Sequence, residues 1–173
     1  DVSPETNDTV EVALGLVNGD ANLDAVFTND NYQRDRVCLG DGRGGFTCSD
    51  LSADANRSLD VALGLINGDP HLDAIINTRS GETSRVCLGD GAGSFDCGDI
   101  SPDTTGYQGV SLGLIDGDSY LDAVISRFNQ TNRICLGDGS GAFTCSEVSA
   151  DTNASFGNAL GFFDDDQHLD IVF

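Results

Sequence analysis

The stretch Leu14–Phe27 runs Leu-Gly-Leu-Val-Asn-Gly-Asp-Ala-Asn-Leu-Asp-Ala-Val-Phe and then returns as Leu63–Ile76, as Leu112–Ile125 and, in drifted form, as Leu160–Phe173. The first residues of these copies lie 49, 49 and 48 positions apart. A fixed period of this length marks a supersecondary unit that buries its apolar face by stacking on its neighbours. Within each copy an apolar run enters a short Asn/Asp/Gly loop, passes a Leu-Asp pair and continues as a second apolar run. That is strand, acidic loop, strand.

Four modules follow from the period: residues 1–49, 50–98, 99–146 and 147–173. Each opens alike, as Asp1-Val-Ser-Pro, Asp50-Leu-Ser-Ala, Asp99-Ile-Ser-Pro and Glu147-Val-Ser-Ala. After the organising stretch come a polar turn, a third strand candidate such as Arg36-Val37-Cys38-Leu39, a glycine-rich turn and a fourth strand candidate ending at Cys48. Four strands per unit is the pattern of a propeller blade. The expected fold is therefore all-β: one continuous repeat domain of three complete four-stranded, propeller-like blades and a half blade. The fourth module stops after its second strand, and an open strand edge invites pairing. End-to-end assembly with copies of the same chain, or a missing remainder, is the expectation.

Composition agrees with strands and turns. There is no Met or Trp, all eight basic residues are Arg, and Glu occurs only as Glu5, Glu11, Glu82 and Glu147, so the acidity is almost wholly Asp. Asp favours turns and hard cations where Glu favours helices. The net charge of −21 argues against nucleic-acid partners, which need a basic face, and against anionic membrane surfaces. No run approaches the roughly 18 apolar residues of a membrane-spanning helix. With no signal-like segment at Asp1, the chain reads as a mature or excised one.

The six cysteines fall as Cys38 and Cys48, Cys87 and Cys97, and Cys135 and Cys145, each pair flanking the same glycine-rich turn. Six cysteines permit fifteen pairings, and the repeat selects the three within modules. Paired thiols place the chain in an oxidising, extracellular setting. Zinc is a poor fit, because no pair has a matching His or second Cys pair beside it.

The loop Asn18-Gly19-Asp20 with Leu23-Asp24, and Arg36-Val37-Cys38-Leu39-Gly-Asp-Gly with Phe46, resemble the FG-GAP and VCBS repeats of integrin alpha-subunit propellers, fungal lectins and microbial surface proteins. The resemblance spans the chain, with module four keeping only the loop. It implies four-stranded blades and a first loop that holds calcium through an Asp-x-Asn/Asp-x-Asp-Gly-x-x-Asp pattern. Carried over, the third, fifth and ninth ligand positions are Asn18, Asp20 and Asp24; Asn67, Asp69 and Asp73; Asp116, Asp118 and Asp122; Asp164, Asp166 and Asp170. The first ligand position departs from the pattern in all four copies, being Leu16, Leu65, Leu114 and Phe162, and the sixth is Ala21, Pro70, Ser119 and Gln167. Calcium wants six to eight oxygens. Two readings stand: loops whose Asp and Asn cap backbone amides while Leu16 and its equivalents turn into the core, or weakened calcium sites completed by carbonyls and water. No cofactor is required by either.

Sequons occur at Asn7, Asn56, Asn129 and Asn153, three of them on the connector before the first strand, which suits a secreted, N-glycosylated protein. Gly40-Asp-Gly42-Arg-Gly-Gly45 fits a dinucleotide fingerprint, but no helix follows to present its N-terminus. Asp41, Asp90 and Asp138 belong to tight turns. His71 and His168 share one loop position without a repeating partner, so no catalytic constellation emerges. The sequence thus points to a non-enzymatic, disulfide-stapled extracellular element that self-assembles into a fibre or surface layer. The rival is a lectin or adhesin, for which Tyr32, Tyr107 and Tyr120 are the aromatic candidates.

Overall fold

A computed structural model describes residues 6–104 and 106–173. The opening of the first module, Asp1 to Pro4, lies outside the described residues. Every regular element among those described is a strand. Module one contributes β1 (Thr9–Gly15), β2 (Asp24–Asn29), β3 (Arg36–Gly40) and β4 (Phe46–Asp50), module two β5 (Ser58–Gly64), β6 (Asp73–Thr78), β7 (Arg85–Gly89) and β8 (Phe95–Asp99). Module three contributes β9 (Tyr107–Gly113), β10 (Asp122–Arg127), β11 (Arg133–Gly137) and β12 (Phe143–Glu147), and module four only β13 (Ala159–Gly161) and β14 (Asp170–Val172). Each complete module is an antiparallel meander in chain order, the fourth a two-stranded sheet, and the sheets remain separate instead of closing into a barrel.

Burial follows position in the sheet. The second strands are short unbroken apolar runs, as expected of strands covered on both faces, and every residue of β6 and β10 is buried. The outer hairpins are tied by the glycine-rich turn: Asp41 Oδ1 accepts from the amides of Arg43 and Gly45, both at 2.8 Å, and Gly42 and Gly44 sit at φ 67° and 92°. That backbone region is open to glycine without steric cost. The hydrogen bonds hold the Asp41 carboxyl below the usual carboxylate range, and Asp90 and Asp138 behave likewise. Cys38 faces Cys48 directly across β3 and β4 with Cα atoms 4.0 Å apart, and the other two hairpins repeat the arrangement.

Neighbouring modules stack face to face and share two apolar cores. One joins Val17, Val26 and Val37 of module one to Val61, Ala74 and Ile76 of module two. The other joins Ile66, Ile75 and Val86 to Val110, Ala123 and Ile125 of module three. A small residue facing large ones sets the register. Gly15 packs against Leu63 and Leu72 of the next module, Gly64 against Leu112 and Leu121, and Gly113 against Leu160 and Leu169. Each module therefore has a socket face carrying the glycine and a knob face carrying the leucines.

Candidate functional site

The acidic loops are organised by their last aspartate. Asp24 is fully buried; its Oδ2 accepts from the amides of Val17 at 2.9 Å and Asn18 at 3.3 Å, and its Oδ1 from Gly40 at 2.9 Å. Asp73 does the same with Ile66, Asn67 and Gly89, and Asp122 with Ile115, Asp116 and Gly137. In module four Asp170 accepts from the Phe163 amide. The remaining loop residues form Asx turns: Asn18 Oδ1 accepts from the Asp20 amide, and Asp20 Oδ1 from the Asn22 amide at 2.7 Å. The Asn22 amide bond is the main cause that draws the Asp20 carboxyl below its usual value. Asn67 with Asp69, Asp116 with Asp118, and Asp164 with Asp166 repeat the turn.

Asp24, Asp73 and Asp122 each accept three backbone amides, which leaves about one of the four lone-pair positions of each carboxylate for a cation that wants about six to eight oxygens. Among the described residues no group of three or more His, Cys, Asp or Glu is placed to hold a metal. The amide-capping expectation describes the loops, with one correction. Leu16, Leu65, Leu114 and Phe162 do not enter the core but stand exposed along one rim. The residue after each of the first three, Val17, Ile66 or Ile115, donates its amide to the loop's last aspartate, and Val17 and Ile66 enter the core in their place.

The sequon asparagines fall on connectors and turns, Asn129 and Asn153 exposed and Asn7 and Asn56 half-buried. Three of their third residues, those of Asn7, Asn56 and Asn153, are engaged in the structure. Thr9 Oγ1 donates to Asn29 Oδ1 at 2.8 Å, Ser58 Oγ to Asp35 Oδ2 of the preceding module at 2.7 Å, and Ser155 Oγ accepts from Asn132 Nδ2 of the preceding module at 3.0 Å. The register of the sequons thus has a packing cause of its own. Asp35, held at this seam, is pushed up to about 6, chiefly by burial.

The three tyrosines separate. Tyr107 is fully buried, its hydroxyl donating to the Asp103 carbonyl, so it is no ligand platform. Tyr32 is exposed beneath the Arg57 guanidinium, and Tyr120 lies against Gly139. A cleft of about 320 Å³ opens between modules two and three, lined by Arg57, Arg79, Gln108, Phe128 and Gln130 among others. Both arginines reach Asp30, at 3.2 and 2.9 Å, which offsets part of the cleft's positive charge.

What sequence reasoning missed is the pair of end faces. Val12 is 43% exposed where its equivalent Val61 is 7%, and Leu14 is 61% exposed. At the other end Val172 is 51% exposed where its equivalent Val26 is 0%. The signal was the repeat itself, which makes Val12 and Val172 the counterparts of residues that other modules bury.

No protein-family model matches this sequence, and no curated protein matches it. Among solved structures, a lectin from Agrocybe aegerita, described for its specific recognition of non-reducing terminal N-acetylglucosamine, is similar with a TM-score of 0.57 at 16% identity. The match covers 84% of this chain and 39% of that one, and at such identity the likeness concerns the fold alone.

Proposed function

We propose that this chain is a non-catalytic extracellular repeat protein of FG-GAP and VCBS type, whose sheets are propeller-like blades and whose role is structural, through end-to-end self-association into a fibre or surface layer carrying N-linked glycans. The observation that carries this reading is the repeated stacking joint, in which the leucine pair of one module seats on the glycine of the module before it three times along the chain. The three disulfides suit an oxidising exterior. The charge of −21 favours solubility of the units until salt screens it. Negative-stain microscopy of the concentrated chain tests the reading. Elongated assemblies are expected at about 0.15 M salt, and dispersed single molecules at every concentration would refute it.

A second reading, a carbohydrate-binding module, is favoured by the likeness to the lectin and by the cleft at Phe128. Half-exposed Phe128 beside Gln108 offers an apolar platform with a polar side chain, the mixture a sugar face requires. Glycan-array binding that disappears in Phe128→Ala would establish it, and an array blank for the unaltered chain would remove it.

A further inference from the structure

We propose that Asn18 and Asn67 are modification sites at which the folded chain converts asparagine to aspartate, by attack of the following glycine's amide nitrogen on the side chain. The proposal is independent of what the chain binds or assembles with.

Asparagine is a chemically labile residue, and of all those in the chain only Asn18 and Asn67 precede glycine. The fold requires both glycines. Gly19 and Gly68 sit at φ 77° and 79°, a region that favours glycine. A Cβ on them would lie 3.1 Å and 3.3 Å from the carbonyl oxygens of Gly91 and Gly139, in the glycine-rich turn of the next module. Both glycines are exposed, and among the described residues neither amide donates a hydrogen bond. The nucleophile is therefore accessible, with no side chain to shield it and no acceptor to hold its proton.

The asparagines, in contrast, are replaceable. Asn18 Oδ1 and Asn67 Oδ1 accept from the amides of Asp20 and Asp69, both at 3.0 Å, and in module three Asp116 Oδ1 accepts from the Asp118 amide at the same distance. A carboxylate thus serves the turn as the amide does. The other half of the contact changes: Asn18 Nδ2 and Asn67 Nδ2 donate to Asp20 Oδ2 and Asp69 Oδ2 at 3.2 and 3.0 Å, and conversion puts a second carboxylate there. Asp116 and Asp118 already stand in that relation, both exposed to water that screens the repulsion. In the reaction the Gly19 nitrogen forms a bond to Asn18 Cγ, the Cγ–Nδ2 bond breaks, and Nδ2 leaves as ammonia with the proton that the glycine amide gives up. Water then opens the cyclic imide. Opening at Cγ restores the main chain and leaves aspartate; opening at the main-chain carbonyl leaves the β-linked isomer, with an extra carbon in the backbone of the turn. Asn67 and Gly68 react alike, and each event adds one negative charge to an acidic loop.

Incubation of the native, disulfide-bonded chain in mildly alkaline buffer, followed by peptide mass spectrometry, tests this. Asn31, fully exposed and followed by Tyr32, is the internal control. The Asn18 and Asn67 peptides should gain the amide-to-acid mass increment at least about tenfold faster than the Asn31 peptide. Equal rates at the three positions would overturn the proposal. So would an intact Asn18 and Asn67 in the native chain under conditions that convert both in the reduced, unfolded chain, since the bonds to Asp20 and Asp69 would then hold the side chains off the glycine amides. The double variant Asn18→Asp, Asn67→Asp supplies the product standard. Its unfolding midpoint should match that of the unaltered chain, as the Asp116 turn implies, and a lowered midpoint would overturn the claim that the folded loops accept the product.

Discussion

The Gly40 amide donates to Asp24 Oδ1 at 2.9 Å, and the pairs Gly89 with Asp73 and Gly137 with Asp122 repeat the bond at 2.9 and 3.0 Å. It locks the first loop of each module to its third strand, and it needs glycine there: a Cβ on Gly40, Gly89 or Gly137 would overlap the carbonyl oxygen of Leu23, Leu72 or Leu121. Asp73→Asn removes one acceptor oxygen and turns an amide donor toward backbone donors. Denaturant titration should show a loss of about 2–4 kcal/mol. Asp69→Asn, at an exposed turn, should lose less than about 1 kcal/mol.

The same bonds bear on metal dependence. With the loop centres filled by carboxylate-to-amide bonds, thermal unfolding should be unmoved by chelator or by millimolar calcium. A bound ion would raise the midpoint with concentration by mass action. An upward shift with calcium would contradict the loop description.

Asp35 gives the seam between modules one and two a pH dependence. Burial raises its carboxyl from 3.8 to about 6, so the folded chain holds a proton that the unfolded chain has already released. Stability contributed by this group therefore falls as pH rises from about 4 to 6, and the penalty is complete above that window. Module three has Asn132 here, accepting from the Arg127 amide and donating to Ser155. Asp35→Asn should copy that arrangement and stabilise the chain by about 1–3 kcal/mol at pH 7 while changing little near pH 4. Urea midpoints at the two pH values check it.

Removal of the Cys87–Cys97 bridge by a double Ser substitution should destabilise the chain by about 2–3 kcal/mol in the chain-entropy description, since the closed ring is small. Chemical denaturation with and without the bridge measures the loss.

Glycosylation should depend on folding. Ser58 is buried and bonded at the seam, whereas Asn129 stands in an exposed turn with φ 54°. Offered to a glycosyltransferase in vitro, the folded chain should accept a glycan at Asn129 and not at Asn56, and the reduced, unfolded chain at both. Peptide mass spectrometry distinguishes the sites.

The strand order and the cysteine pairs were legible because the period repeats them: Cys38 and Cys48 hold one register in three modules, and only that register serves all six thiols. The roles of the loop residues were half legible. Spacing marks Asn18, Asp20 and Asp24 as a turn but is silent on which donors the carboxylates meet, because the Gly40 amide arrives from 16 residues away. Leu16 misled because an apolar residue beside a strand reads as core, while the neighbouring Val17 takes that place. Tyr107 misled in the opposite direction: it opens β9 and belongs to the core that modules two and three share. The difference in exposure between equivalent residues was invisible residue by residue: Leu14 and Leu63 share the run Val-Ala-Leu-Gly-Leu, yet Leu14 is exposed and Leu63 packs on Gly15.

Electron cryo-microscopy of the assembled protein tests the central claim most directly. The account predicts filaments or rings in which the module stacking found within the chain continues from one copy to the next. A field of single molecules under all conditions would contradict it.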